Sequence, residues 1–264
     1  MNIGNFLKKR HPLSPLTANI NLCSIFRTIG CVGDSLSSGE FEELKANGER
    51  HYHDLYEYSW GQFMARDLGC KVYNFSKGGM TAEKYCESFA EENGFWDADK
   101  ACQAYIFALG VNDILVLDKE MGSPSDVDLK NYHNNKPTFA GYYAQIIQRL
   151  KEISPDAKFF FMTMPGNSRD SSYKKKKGDL HAKLMYDFAK MFSNSYVIDL
   201  RKYAPDYGSK FRKKYYLGGH MNPVGYVLTA CMVETYIDYI IRNNIEDFKQ
   251  VGFIGTEYKY IEPK

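Results

Sequence analysis

The strongest constraint on this chain is an alternation of short apolar runs with segments of helical period. Ser24 to Val32 reads as a first strand ending at Gly33, Lys71 to Phe75 as a second, and Tyr105 to Leu109 as a third. Lys158 to Met164, closed by Pro165, reads as a fourth, and Tyr196 to Leu200 as a fifth. Helical patterns lie between them. Trp60 to Leu68 stops at Gly69, a residue suited to a left-handed helix end. Thr81 opens a helix with Glu83 and Glu87 near its positive end. Phe139, Tyr142, Tyr143, Ile146, Ile147, Leu150 and Ile153 share one helical face. Leu180 to Phe192 continues the pattern, and Asn222 with Pro223 forms a strong helix start, Asn as the cap and Pro in the first turn. Continuous apolar strands suit a sheet covered on both faces, and their alternation with helices predicts that the sheet is parallel.

Composition narrows the class. The chain has 264 residues, enough for a sizeable core, with 44% hydrophobic and 25% charged residues. These values exclude a largely disordered chain, a collagen and a disulfide-dense mini-protein. A net charge of +2 gives no global reason to expect nucleic-acid or membrane binding. The most apolar stretch, Tyr105 to Leu117, is interrupted by Asn112 and Asp113, short of the roughly 20 apolar residues that a membrane span needs. Lys8, Lys9 and Arg10 are followed by His11, Pro12 and Ser14 rather than by an apolar run, so no secretion signal is read and a cytoplasmic protein is expected. Cys23, Cys31, Cys70, Cys86, Cys102 and Cys231 form no Cys-x-x-Cys pair, which predicts reduced thiols rather than a zinc site. Without a linker or repeat, 1–264 reads as a single domain with its core over about 25–242, an N-terminal arm over 1–24 and a C-terminal extension over 243–264.

In such sheets ligands bind beyond the carboxyl ends of the strands. Ser35 follows the first strand and a glycine, where a hydroxyl can be held exposed at a tight turn. A serine is a weak nucleophile unless a base takes its proton, and histidine is the side chain whose pKa suits that task. Of the six histidines, only His220 lies between a glycine pair and a capped helix; His11, His51, His53, His133 and His181 lie in the arm, polar segments or a helix start. Ester hydrolysis passes through an oxyanion that needs donors aimed at it beforehand. Gly79 can offer a backbone N–H and Asn112 a side-chain N–H.

Taken in order, Gly33-Asp34-Ser35-Leu36, Asn74 to Gly79, Gly110-Val111-Asn112-Asp113, and His220 with Asn222, Pro223, Gly225 and Tyr226 resemble the GDSL/SGNH hydrolase family over about residues 25–236. The resemblance implies an α/β fold, three-layer α/β/α and flavodoxin-like, with a central, mostly parallel five-stranded sheet. It implies Ser35 as nucleophile, His220 as base, and an oxyanion hole from the Ser35 and Gly79 N–H groups and the Asn112 amide. It implies no metal or organic cofactor.

One departure matters. The family usually places an aspartate three residues before the histidine, and Leu217 stands there. Losing such an orienting acid can cost on the order of 10⁴ in turnover. Three explanations compete: a backbone carbonyl accepts the imidazole N–H and leaves a Ser-His dyad; an acid from elsewhere, Asp206 or Glu40, takes over; or the protein is catalytically weak and binds an acyl or sugar ligand. Asp34 and Asp113 read as orienting or structural rather than as a glycosidase pair, which would leave Ser35 and His220 idle. Lys174 to Lys177, with Arg169, read as a loop after the fourth strand, solvated or forming a cationic rim for an anionic ester.

The leading expectation is therefore a serine hydrolase acting on small-molecule carboxylic esters of short acyl groups, with acetylated saccharides the first substrate guess. A lipase, a thioesterase, an acyltransferase and a non-catalytic binder on the same fold are the alternatives.

Overall fold

The structure, a computed structural model, describes residues 21–261. Its strands in chain order are β1 (Thr28–Gly33), β2 (Glu40–Leu44), β3 (Arg50–Asp54), β4 (Lys71–Ser76), β5 (Ala104–Ala108), β6 (Lys158–Met162), β7 (Ser195–Ile198), β8 (Tyr216–Leu217) and β9 (His220–Met221). The main helices are α1 (Ser35–Ser38), α2 (Trp60–Leu68), α3 (Phe139–Ile153), α4 (Ser172–Met191), α5 (Ser209–Tyr215) and α6 (Pro223–Asn243). The central sheet has five strands in the order β4-β1-β5-β6-β7, and every pairing in it is parallel. With the hairpins β2–β3 and β8–β9 set aside, this is the flavodoxin-like order, in which the chain leaves β1 first to one side and then to the other.

Burial on both faces explains the unbroken apolar strands. In β6, Phe159 and Phe161 enter one core cluster while Phe160 and Met162 enter the other. In β5, Tyr105 and Phe107 alternate in the same way with Ala104 and Ile106. Helices α3 and α4 cover the first face through Tyr143, Ile147, Leu184 and Phe188; α2 and α6 cover the second through Trp60, Met64, Val233 and Ile237. Helix α6 is long and apolar enough to cross a membrane by length and composition, but its side chains fill this second core.

Local chemistry sets the boundaries, and some differ from expectation. Asn21 caps a short helical turn over Leu22–Ile25 by accepting from Cys23 N–H at 2.9 Å, so β1 starts only at Thr28. Ser171 caps α4 by accepting from Lys174 N–H at 3.3 Å. The helix therefore begins well before Leu180, and Lys174 to Lys177 form its opening turns rather than a loop. Thr138 and Asn222 cap α3 and α6 as their sequence suggests. The C-terminal extension returns to the core through buried Phe248 and Val251. Residues 1–20 of the expected N-terminal arm lie outside the described residues. All six cysteines are free thiols.

Phe160 sits at the centre of the second face, fully buried and edge-on to Phe26 at 6.0 Å. Phe160→Ala is expected to destabilise the protein by about 3–5 kcal/mol in urea unfolding at neutral pH. A loss below about 1 kcal/mol would show that this side of the sheet collapses to fill the hole.

Candidate active site

Three strand ends converge at the point where the sheet order reverses. Ser35 opens α1 directly after β1, Gly79 follows β4, and Asn112 follows β5. Asp34 caps α1, its carboxylate accepting from Leu36 N–H at 3.2 Å. The turn needs Gly33, because a Cβ there would lie 2.3 Å from Ser37 Oγ. Gly79 has φ +71 with open space around its Cβ position, so backbone conformation rather than crowding calls for glycine there. Among the described residues, neither the Ser35 nor the Gly79 backbone N–H has a hydrogen-bond partner. Asn112 donates one N–H to Met80 O at 3.0 Å, and buried Asp113 accepts from Ala82 N–H at 3.1 Å. These two bonds lock the loop after β5 onto the loop after β4.

His220 is the first residue of β9. The two-residue turn Gly218-Gly219 folds β9 back on β8, with Gly218 at φ +61 and Leu217 opposite His220. Helix α1 packs against β9, so Ser35 and His220 share one edge of the molecule, although no hydrogen bond joins them. A backbone carbonyl does not take the far side of the ring: His220 Nδ1 is buried and without a hydrogen-bond partner among the described residues. Asp206 does not reach the ring either. It accepts from Ser168 N–H and Oγ, both at 2.6 Å, in an exposed loop.

Glu40 does reach it. Its Oε1 lies 2.9 Å from His220 Nε2, with the two side chains 13% and 16% exposed. The carboxylate belongs to a hairpin that the sequence reading missed. In β2–β3, Glu40 pairs with Asp54 and Glu42 with Tyr52, so these four share one face. That face turns towards the histidine loop: Glu42 accepts from Gly219 N–H, and the Tyr52 ring stands edge-on to the imidazole at 5.5 Å. The one local signal for it is Asn47-Gly48, a dipeptide that favours tight hairpin turns, set between two polar strands that carry no apolar alternation.

Electrostatics follow from this packing. Burial pulls the His220 pKa below its usual value, Glu42 and Asp54 oppose that shift, and Arg212 adds to it. The lowered pKa favours the neutral imidazole, the form able to accept a proton. Burial, then Asp54, raises Glu40. Burial raises Asp34 to about 7 and Asp113 to about 6. The lysines of α4 are partly committed elsewhere, Lys177 to Asp118 and Lys175 to Ser168 O at 3.2 Å. The charges that act on the imidazole come from the hairpin and α5, not from this helix.

Beneath α1 lies an apolar cavity of about 60 Å³, bordered by Leu36, Ala108, Met162, Met164, Tyr207 and Met221. It lies on the β5–β6 side of Ser35, while Glu40 lies on the β4 side, against Gly78.

The Asp34 carboxyl gives a stability test. Its pKa is raised in the folded state, so folding holds a proton that the unfolded chain releases first. Stability is then full below the usual aspartate value and falls as pH rises from about 4 to about 7. Asp34→Asn keeps an equivalent cap without the ionisation. The melting temperature of Asp34→Asn relative to wild type is expected to climb by several degrees between pH 4 and pH 8. A constant difference across that range would remove Asp34 as the source.

Comparison with known proteins agrees with the fold. Residues 31–228 match the model of the GDSL-like lipase/acylhydrolase family. No curated protein matches the chain. Among solved structures, a family two carbohydrate esterase from Clostridium thermocellum, in complex with cellohexaose, is 17% identical with a TM-score of 0.55, covering 88% of this chain and 67% of that one. A family three carbohydrate esterase from the same organism is 15% identical with a TM-score of 0.51, covering 82% of this chain and 97% of that one. At such identity these likenesses speak to the fold alone. With its family match spanning most of the chain, the protein belongs to the GDSL-like lipase/acylhydrolase family.

Proposed function

We propose that the protein is a serine esterase that cleaves short acyl groups from hydroxylated small molecules, acetylated saccharides first among them. The observation that carries this reading is the convergence of Ser35, Gly79, Asn112 and His220 on one sheet edge, with two backbone N–H groups left unbonded. Ser35 Oγ attacks the ester carbonyl as His220 takes its proton, and the carbonyl electrons move onto oxygen. That oxyanion sits between the Ser35 and Gly79 N–H groups and the Asn112 amide. Collapse expels the alcohol, which takes the proton back from His220. Water then attacks the acyl-Ser35 by the same route and releases the acid.

Two features support the substrate class. The cavity beside α1 holds about 60 Å³, room for only a short acyl tail. On the other side the Tyr52 ring, 53% exposed and touching His220, offers an aromatic face to a sugar. Carbohydrate esterases share the fold.

Hydrolysis of nitrophenyl esters of increasing acyl length tests the proposal. Acetate and propionate esters are expected to turn over best, with activity falling steeply by octanoate. Ser35→Ala and His220→Ala are each expected to lose about 10³-fold or more, and Asn112→Ala about 10²- to 10³-fold. Ser35→Ala retaining most of the wild-type rate would overturn it. The unpartnered Nδ1 and Leu217 favour a second reading, a binder with little chemistry. Absence of turnover on every acyl length, with acetylated oligosaccharide still bound, would establish that reading instead.

A further inference from the structure

We propose that Glu40 is the acid partner of His220: it holds the imidazole proton on Nε2 and leaves Nδ1 as the nitrogen that receives the Ser35 proton. This rests on the esterase reading above and assigns the role left open by Leu217. The family aspartate is missing, and among the described residues Glu40 is the carboxylate in charged contact with the ring, 2.9 Å from Nε2. Which imidazole nitrogen carries the proton is set by what the other ring atoms meet. A carboxylate at Nε2 favours the proton there. Nδ1 is buried and has no hydrogen-bond partner among the described residues, so its lone pair is uncommitted and open to the Ser35 proton.

Several features hold Glu40 in place. Tyr226 of α6 donates its hydroxyl to the Glu40 carbonyl at 2.7 Å, tying the base of the glutamate to the helix that follows His220. Gly78 leaves the space the carboxylate occupies; a Cβ there would lie 1.8 Å from Glu40 Oε2. Glu42, two residues on, grips the same histidine loop through Gly219 N–H. Strand β2 thus presents two inward carboxylates, one to the ring and one to the backbone of Gly219 beside it. Directly opposite Glu40 stands Asp54, a like charge across the hairpin, which costs stability wherever it occurs. Such broken local rules cluster at working sites. Asp54 is stabilised in turn by the hydroxyl of Ser38 on α1.

The step balances. The Ser35 Oγ–acyl carbon bond forms as the hydroxyl proton passes to Nδ1. The resulting imidazolium is stabilised by the Glu40 carboxylate. The proton leaves Nδ1 with the departing alcohol. Glu40 acts through His220 and is a positioning residue. The other ionisable groups around the ring are Glu42 on β2, Asp54 and Tyr52 on β3, and Arg212 on α5.

The test uses the full chain with nitrophenyl acetate, and nitrogen-15 NMR of the His220 ring. Wild type is expected to show the Nε2–H tautomer at neutral pH, a readout that needs no variant. Glu40→Gln is expected to lower kcat by about 10²- to 10⁴-fold with KM nearly unchanged. It should also move the acid limb of the kcat/KM profile down by about one to three pH units, because the imidazolium loses its counter-charge. Glu40→Asp should recover part of kcat. An Nδ1–H tautomer in wild type overturns the proposal. So does a folded Glu40→Gln with an unmoved acid limb, or one with raised kcat, which would make Glu40 an obstruction. Full activity in Ser35→Ala would instead sink the esterase reading while leaving the NMR result to decide the Glu40–His220 pairing.

Discussion

Burying both faces of the sheet confines polar chemistry to its ends. Phe160 and Phe161 point to opposite faces from one strand, each into an apolar cluster. A hydroxyl or amide placed there without a partner would cost about 1–3 kcal/mol. At the carboxyl ends, by contrast, each strand hands over to a loop whose backbone groups are not yet committed. The reversal of strand order around β1 opens a gap there with loops on both sides. Ser35, Gly79 and Asn112 owe their convergence to that topology, not to any attraction for one another. The bonds from Asn112 to Met80 O and from Asp113 to Ala82 N–H then tie the two loops together, so that in the proposed mechanism the donors need no rearrangement when negative charge arrives.

The same burial creates the electrostatic tension of the site. Removing water raises carboxyl groups and lowers imidazoles. Asp34, Asp113 and Glu40 all move up, and His220 moves down. Left alone, a buried imidazole would resist becoming charged even briefly. The hairpin supplies the remedy by bringing Glu40, Glu42 and Asp54 to one side of the ring, so negative charge rises where positive charge must appear. In the proposed mechanism, burial favours the neutral resting base and the carboxylates ease its transient protonation. Each effect would be harmful without the other.

What could be read from the chain follows a physical divide. Elements that bury a periodic face, such as α2, α3, β5 and β6, announce themselves because period and burial coincide. The motif residues were legible because their spacing is tied to strand ends. The hairpin β2–β3 was not, since both its strands are polar and its order comes from the loop it grips. Phe41 is the one apolar side chain in β2 short of its exposed terminal Leu44, and it packs against Tyr226 of a helix far along the chain. Helix α4 began earlier than its apolar face suggested because Lys174 to Lys177 carry no periodicity, while the Ser171 cap sets the true start. Glu40 entered as one of two acids near a motif; no pattern within the sequence could choose between it and Asp206. That choice depends on Gly218 and Gly219 turning the chain so that His220 faces β2, a matter of backbone direction rather than composition.

This arrangement also divides the site. On the β5–β6 side the walls are Met162, Met164, Leu36 and Ala108, with no free charge facing the cavity apart from the buried Asp34 carboxyl. On the β4 side stand Glu40, Glu42, Asp54 and the exposed Tyr52 ring. An ester has an apolar acyl half and, when its alcohol is a sugar, a hydroxyl-rich half. Only one orientation places each half against matching surface while the carbonyl oxygen faces Gly79 and Asn112. The reverse orientation would press an acyl tail onto carboxylates and strand hydroxyl groups in an apolar cavity, with a desolvation cost for each buried group left unbonded. On the proposed esterase reading, acyl length and alcohol polarity would thus be selected on opposite sides of Ser35, by surfaces that belong to different parts of the chain.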